Sequence, residues 1–129
     1  MYITVDEKDR RPIYQQVVDE IKGLIATGEL SQGTFLPPVR QVAADLGVNL
    51  NTVAFAYRRL QKEGLVKVRH GAGALVVSRV LKEPIADHTR SQLTAALTQL
   101  VLSGLKPSEV RNLVDEELRR LSAENVSAL

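Results

Sequence analysis

The sequence predicts a mainly α-helical chain with one small β-hairpin. Apolar residues recur at helical spacing in five separate stretches, and glycine or proline separates most of these stretches. A short stretch with a period close to two follows the third of them. With 129 residues, the chain has the size of one domain, or of one small domain with an appendage.

Composition excludes several classes of protein. Hydrophobic residues make up 44% of the chain, which is enough for a folded core. The absence of cysteine excludes disulfide scaffolds, thiolate nucleophiles and cysteine zinc sites. No apolar run is long enough to span a membrane, and the N-terminus lacks the apolar core of a signal peptide. We therefore expect a cytoplasmic chain without membrane contact.

The first predicted helix covers about residues 12–27. Pro12 suits the first turn because its missing N–H costs no hydrogen bond there, and Gly28 stands where the helix would end. The polar residues 1–11 are expected to be loosely held. Residues 30–38 contain serine, glycine and two prolines, so we predict a loop there.

Two short helices joined by a tight turn are predicted next. The second helix ends at Gly47, which accepts the backbone conformation that reverses the chain. Asn49 is a suitable N-cap for the third helix, and Gly64 ends it. The pair has the pattern of a helix-turn-helix, although many unrelated helix pairs share that pattern.

The period of the apolar residues changes after the third helix. Residues 65–69 and 74–77 are predicted as strands, with a turn at residues 70–73. Three helices followed by a hairpin with a Gly-x-Gly tip describe a winged helix-turn-helix domain. In this fold the third helix enters the major groove, and the hairpin lies along the backbone or the adjacent minor groove.

Two further helices are predicted in the last third of the chain. The fourth covers about residues 87–103 and ends at Gly104, and Ser108 can cap the fifth. Together they carry more apolar surface than one small domain easily covers. They either fold back on the first helix or form an interface with a second copy of the chain.

The positive charge is concentrated in the middle of the chain. Residues 40–73 carry six cations and two anions, whereas residues 79–129 carry seven of each. A basic segment suits a polyanionic partner, and an ordinary solvated surface is the alternative interpretation.

Helical projection gives the third helix a polar outer face. With Val53, Tyr57 and Leu60 directed inward, the residues directed outward are Asn51, Phe55, Arg58 and Lys62, flanked by Thr52 and Arg59. Asparagine can bind adenine edges, threonine can bind phosphate or a thymine methyl, and arginine or lysine can bind guanine or phosphate. A solvated helix face is again the alternative. Phe55 could contact a thymine methyl, or it could pack on the wing or a partner subunit.

A set of short motifs occurs in order within residues 11–79. They are Leu36-Pro37, Arg40, Leu46-Gly47-Val48, Asn51-Thr52-Val53, Arg59-Leu60, Glu63-Gly64-Leu65 and Gly71-x-Gly73. With these motifs, the segment resembles the DNA-binding domain of the GntR family of bacterial transcriptional regulators. The run Pro12-Ile13-Tyr14-Gln15-Gln16 and the short two-helix tail resemble the YtrA subfamily. The resemblance implies an N-terminal segment of residues 1–10, a GntR-type winged helix-turn-helix domain of residues 11–79 and a helical dimerisation region of residues 80–129.

The resemblance also implies roles for individual residues. Arg40 would bind a phosphate, and the start of the third helix would lie near bases and phosphates. The wing would lie against the minor groove, with its two glycines serving the turn and allowing close approach to DNA. The DNA-binding residues predicted in this way, together with the outer face of the third helix, are Arg40, Asn49, Asn51, Thr52, Phe55, Arg58, Lys62, Arg69, His70, Gly71 and Gly73.

The chain departs from the family pattern at several positions. Pro38 replaces a small polar residue, and Ala74-Leu75 replaces the common Thr-Phe after the wing glycines. Leu50 stands where many relatives have arginine or proline, and Ala54 stands where several have arginine, so direct guanine recognition from these two positions is not expected. These departures concern the DNA sequence that is recognised, and they leave the predicted fold unchanged.

The function implied is that of a homodimeric transcriptional regulator, a repressor that binds a palindromic operator in double-stranded DNA. The residues expected at the dimer interface are Leu93, Leu97, Leu100, Val101, Val110, Leu113, Val114, Leu118 and Leu121. An unidentified small-molecule inducer would bind at this interface, because the tail is too short to enclose a pocket. No cofactor, metal or catalytic residue is expected, since nothing in the sequence pairs a nucleophile with a base. The alternative is a winged-helix module that binds protein and has no regulatory role.

Overall fold

The computed structural model describes residues 1–71 and 73–127, with side chains described as far as residue 122. Residue 72 of the predicted wing turn and residues 128–129 of the predicted dimerisation region lie outside the described residues. The chain forms two compact units, Met1–Lys82 and Glu83–Leu129. The predicted mainly α-helical fold with a small hairpin is confirmed, and the described residues form five helices and three strands. Among the described helices, none combines the length and the hydropathy needed to cross a membrane.

The first unit contains three helices: α1 (Ile13–Thr27), α2 (Val39–Leu46) and α3 (Leu50–Lys62). Their ends follow the local sequence closely. Gly28 and Gly47 have left-handed conformations with φ of 88° and 69°. Glycine adopts this conformation after a helix with less strain than any other residue. Asn49 caps α3, because its side-chain oxygen accepts a 2.7 Å hydrogen bond from the backbone N–H of Asn51.

A three-stranded antiparallel sheet completes the first unit. Its strands are β1 (Phe35–Leu36), β2 (Val66–Arg69) and β3 (Gly73–Val76), in the order β1-β3-β2. The predicted hairpin corresponds to β2 and β3. The prediction of a loop throughout residues 30–38 is wrong, because β1 pairs with β3 through Phe35 opposite Leu75 and Leu36 opposite Ala74. A strand of two residues is too short to show a period, and only its distant partner defines it.

The core of the first unit lies between α1, α3 and the sheet. Val17 and Ile21 of α1 pack in one cluster with Val53 and Leu60 of α3, and all four are fully buried. Tyr57 is also buried, and its hydroxyl donates a 2.6 Å hydrogen bond to the carbonyl of Pro37. Burial raises the pKa of the Tyr57 hydroxyl above its usual value, so this residue remains an uncharged donor. The core therefore holds α3 firmly by its inner face.

The N-terminal segment is part of this unit, and the expectation that it is loosely held is wrong. Ile3 is buried in the main core cluster, and Val5 packs against that cluster. The buried side chain of Gln16 accepts a hydrogen bond from the N–H of Asp6 at 2.8 Å and donates one to the carbonyl of Asp6 at 3.0 Å. It also donates to the carbonyl of Arg11 at 3.0 Å. Two apolar side chains and the hydrogen bonds of Gln16 therefore anchor the segment.

The second unit consists of α4 (Asp87–Leu102) and α5 (Pro107–Ser127), which contact each other. Gly104 has a φ of 89° between them, in agreement with its predicted position after the fourth helix. Ser108 lies inside the first turn of α5, so its predicted role as the cap is wrong. Instead, the carboxylate of Glu109 accepts a 3.1 Å hydrogen bond from the backbone N–H of Lys106.

Candidate nucleic-acid interface

The outer face of α3 has the orientation that helical projection predicts. Asn51, Phe55, Arg58 and Lys62 are exposed, and Thr52 beside them is half-buried. The opposite face is buried in the core by Val53, Ala56, Tyr57 and Leu60. The helix therefore presents a row of amide, hydroxyl, aromatic and cationic groups on one side of a rigid scaffold.

The cap of α3 uses part of one predicted DNA-binding residue. The side-chain oxygen of Asn49 is engaged by the N–H of Asn51, so its amide NH₂ is the group left to face a ligand. Asn51 makes this contact through its backbone, and its own side chain is exposed. Its amide thus presents both a donor and an acceptor, the pair that an adenine edge requires.

Three predicted cations lie exposed on α2 and α3. Within the described part of the chain, no carboxylate forms an ion pair with Arg40, Arg58 or Lys62. By contrast, Arg59 lies 4.0 Å from the carboxylate of Glu63, which also binds Lys22 at 2.8 Å. Arg59 is thus partly neutralised, whereas the other three charges are free to bind a polyanion.

Phe55 makes a contact that neither of its predicted alternatives included. Its ring packs edge-to-face on Tyr14 of α1, with ring centroids 4.7 Å apart and an interplanar angle of 81°. The guanidinium carbon of Arg58 lies 5.9 Å from the centroid of the same ring. Sequence reasoning missed Tyr14 because it lies beside the apolar face of α1, and its partner is forty-one residues away along the chain.

A groove runs beside the first turns of α3. It has a volume of about 330 Å³, and it is lined by Tyr14, Asn51, Thr52 and Phe55. Three of these residues are predicted DNA-binding residues, and they meet here at one place on the surface. The groove thus joins two aromatic walls to an amide and a hydroxyl.

The wing presents its cationic tip to solvent. Arg69, His70 and Gly71 are exposed, and Gly71 has a φ of 75°. Gly73 is buried, and a Cβ atom at this position would lie 2.0 Å from the carbonyl oxygen of Leu36. This burial argues against a direct DNA contact by Gly73. Glycine is required at this position because β3 passes so close to β1.

A second residue missed by sequence reasoning attaches the wing to α3. The side-chain oxygen of Gln61 accepts a 2.7 Å hydrogen bond from the backbone N–H of Val68 in β2. Gln61 is exposed, and nothing in the pattern of α3 distinguishes it from other polar residues. The contact ties the hairpin to the helix that carries the outer polar row.

The helices of the second unit carry an apolar surface. Leu93, Val101 and Leu118 are between 55% and 61% exposed, and no residue of α4 is buried. The remaining predicted interface residues are Leu113 and Val114, which are exposed, Leu97, Leu100 and Leu121, which are half-buried, and Val110, which is buried. Leu102, which was not predicted, is 76% exposed. Burial within its own chain leaves Val110 little surface for a partner.

No cluster of three or more histidine, aspartate or glutamate side chains with metal-binding geometry occurs among the residues that the structure describes.

Comparison with known proteins identifies relatives of the same size. Residues 13–76 match the family described as "Bacterial regulatory proteins, gntR family". The HTH-type transcriptional repressor YtrA of Bacillus subtilis (strain 168) is 28% identical over 122 residues, covering 95% of this chain and 93% of that relative. The likeness to YtrA thus extends through the two C-terminal helices.

Comparison with solved structures also identifies proteins similar to this chain. A transcriptional antiterminator from Listeria monocytogenes EGD-e superposes with a TM-score of 0.76 at 28% identity, covering 94% of this chain and 92% of that one. YtrA from Sulfolobus acidocaldarius, a GntR-family transcription factor, has a TM-score of 0.55 at 34% identity, covering 90% and 96%. The DNA-binding domain of AraR, solved in complex with operator ORE1, has a TM-score of 0.50 at 25% identity, covering 60% and 94%. The resemblance predicted from the sequence is confirmed, and the chain belongs to the GntR family of bacterial transcriptional regulators, with relatives of the YtrA type.

Proposed function

We propose that this DNA-binding regulator is a repressor that acts in the cytoplasm as a homodimer on a palindromic operator. The observation that carries the proposal is the outer row of α3, where exposed polar and cationic side chains stand on a helix whose other face is buried in the core. Repression is supported by the likeness to YtrA of Bacillus subtilis, which is named a transcriptional repressor. A dimer bound across a promoter would exclude other proteins from that DNA.

Two kinds of contact have different roles at this surface. Arg40, Arg58, Lys62 and the wing tip supply attraction to phosphate, which depends on salt and is largely independent of sequence. Asn51 and Thr52 supply discrimination between bases, since an amide or a hydroxyl in the major groove can distinguish base edges. Asn49 contributes through its free amide NH₂.

Dimerisation is supported by the apolar surface of α4 and α5. Apolar side chains as exposed as Val101 and Leu118 lose contact with water when a second copy covers them. One winged domain makes few phosphate contacts and binds weakly. Two linked domains bind two half-sites with a high effective local concentration, and a two-fold axis matches a palindrome.

An inducer would bind where the two copies meet. The described residues of α4 border a groove of about 290 Å³ lined by Thr94, Leu97, Thr98, Val101 and Leu102. All five lining residues belong to a single helix, so a partner helix is needed to enclose a ligand. A small molecule bound there would change the separation of the two DNA-binding units.

The proposal is tested by selecting bound duplexes from a random DNA pool and by measuring the mass of the protein in solution. We expect a palindromic consensus whose half-site centres are about 34–36 Å apart, or a multiple of that spacing, together with a dimer mass. A monomer that retains no duplex at low ionic strength would refute the proposal. The competing protein-binding module predicts no consensus, and it gives no reason for the exposed polar and cationic row of Asn51, Arg58 and Lys62.

A further inference from the structure

The aromatic pair beside the outer row of α3 is unusual for a polar helix face. Phe55 remains 42% exposed although Tyr14 packs against its ring, and Arg58 lies over the same ring. An exposed phenylalanine on such a face gains nothing from water, whereas it gains from an apolar partner. The contact with Tyr14 also restricts the ring, so the surface left open has a defined orientation.

The side chains that line the neighbouring groove indicate which chemical group would bind there. Its walls are the two aromatic rings, and Asn51 and Thr52 complete it. In the major groove, the only apolar group that a base edge presents is the 5-methyl of thymine. The amide of Asn51 can donate one hydrogen bond to an adenine edge and accept another from it. A thymine beside an adenine therefore matches the side chains that line the groove.

We propose that the groove formed by Tyr14, Asn51, Thr52 and Phe55 receives the 5-methyl group of a thymine in each operator half-site. Phe55 contacts the methyl group. Tyr14 is a positioning residue, because it holds the Phe55 ring in place and thereby also the guanidinium of Arg58 that lies over this ring. This inference rests on the proposed function, since it names a base that the same surface reads.

The arrangement extends the recognition surface beyond α3. Tyr14 belongs to α1, and it reaches the outer face of α3 without being part of the helix-turn-helix. Specificity then depends on how α1 is packed, and a change in α1 can alter base preference while every residue of α3 is kept.

Replacement of thymine by deoxyuridine tests the contact, because uracil lacks only the methyl group. The probe is the duplex that the full-length protein selects from a random pool, with each thymine replaced in turn. For the unmodified protein we expect one position in each half-site at which loss of the methyl weakens binding about fourfold, the factor associated with burial of one such group. Phe55→Ala should bind the thymine and uracil duplexes equally at that position.

Variants of Tyr14 test the positioning role. Tyr14→Phe keeps the ring and should keep the preference for thymine over uracil, whereas Tyr14→Ala and Tyr14→Leu should lose it. Phe35→Ala and Tyr2→Ala are matched controls, because both residues are exposed aromatics outside the groove, and both should retain the preference. Circular dichroism establishes that each variant compared is folded, and Tyr14→Leu replaces Tyr14→Ala if the smaller side chain prevents folding.

The outcomes separate this inference from the proposed function. If the unmodified protein retains no duplex even at low salt, the proposed function itself is wrong. If it selects a consensus but no thymine is sensitive to loss of its methyl, only the thymine contact is wrong. Sensitivity that persists in Phe55→Ala would assign the methyl to another residue, and sensitivity that persists in folded Tyr14→Leu would remove the positioning role of Tyr14.

Discussion

Two glycines of the wing have similar φ angles and different surroundings. Gly71 and Gly73 have φ of 75° and 79°, so a side chain at either position strains the backbone. Among the described residues other than its chain neighbours, none has an atom within 4 Å of a Cβ added at Gly71, whereas at Gly73 the carbonyl oxygen of Leu36 lies 2.0 Å away. The steric requirement for glycine is therefore much stricter at Gly73.

Substitution of these glycines by alanine should have unequal effects on stability. Gly71→Ala adds backbone strain alone and should cost on the order of 1 kcal/mol. Gly73→Ala must also separate β1 from β3 and should cost roughly 3 kcal/mol or more. Urea denaturation of both variants measures the difference, and equal midpoints would show that β3 moves away from β1 without cost.

The two classes of side chain on the DNA-binding face should also be separable. Arg40→Ala should weaken binding to every duplex and reduce the slope of log K against log salt by about one for each copy of Arg40. Asn51→Ala should change the base preference and leave that slope nearly unaltered. Fluorescence anisotropy over a salt series measures both quantities.

Arg111→Ala, on α5, is the control for the loss of one arginine. Its salt slope should equal that of the parent protein. If Arg40→Ala and Asn51→Ala both bind as the parent does, the proposed face is not the DNA-binding surface.

At the scale of elements, a side chain joins α3 to the wing. Gln61 accepts the N–H of Val68, a backbone donor of β2 in the hairpin. The residues of α3 and the wing tip belong to different elements, and this bond helps to keep their separation constant. Preorganised contacts reduce the ordering that DNA binding would otherwise require.

Removal of the acceptor at Gln61 should loosen the hairpin. Gln61→Leu leaves the N–H of Val68 without that partner and should destabilise the protein by about 1 kcal/mol, with faster hydrogen exchange in β2. Gln61→Glu keeps a side-chain oxygen and serves as the matched control. Identical exchange rates at Val68 in the two variants would indicate that the bond does not restrain the wing.

The apolar surface of α4 and α5 should determine the oligomeric state of the protein. Val101→Asp places a charge among exposed apolar side chains and should convert the dimer to a monomer. Affinity for a duplex with two half-sites should then fall by about 10² or more, while affinity for a single half-site stays the same. Light scattering measures the mass, and anisotropy measures both affinities.

The control variant is Gln99→Asp, which adds the same charge at an exposed polar position of α4. It should remain dimeric. A dimer of unchanged stability in Val101→Asp would show that the second copy covers a different surface.

Much of the fold and part of the candidate site could be predicted from local sequence. The bounds of α1, α2 and α3 follow from periodicity and from residues such as Gly28, Gly47 and Asn49, whose effects are confined to one turn of helix. Once the inner face of α3 is known, its outer row follows from geometry. The motifs within residues 11–79 were likewise specific enough to indicate the family, whose model matches residues 13–76.

Contacts between residues that are far apart along the chain determine the features that could not be predicted. β1 exists because β3 pairs with it, Ile3 is buried because the core of the first unit accepts it, and Phe55 is oriented by Tyr14 from another helix. None of these leaves a periodic signal, because each depends on where two remote segments meet. The helices, the wing and the polar row could be predicted from residues that are neighbours along the chain. The aromatic ring beside that row and the need for glycine at Gly73 are visible only in the folded chain, since both depend on distances through space.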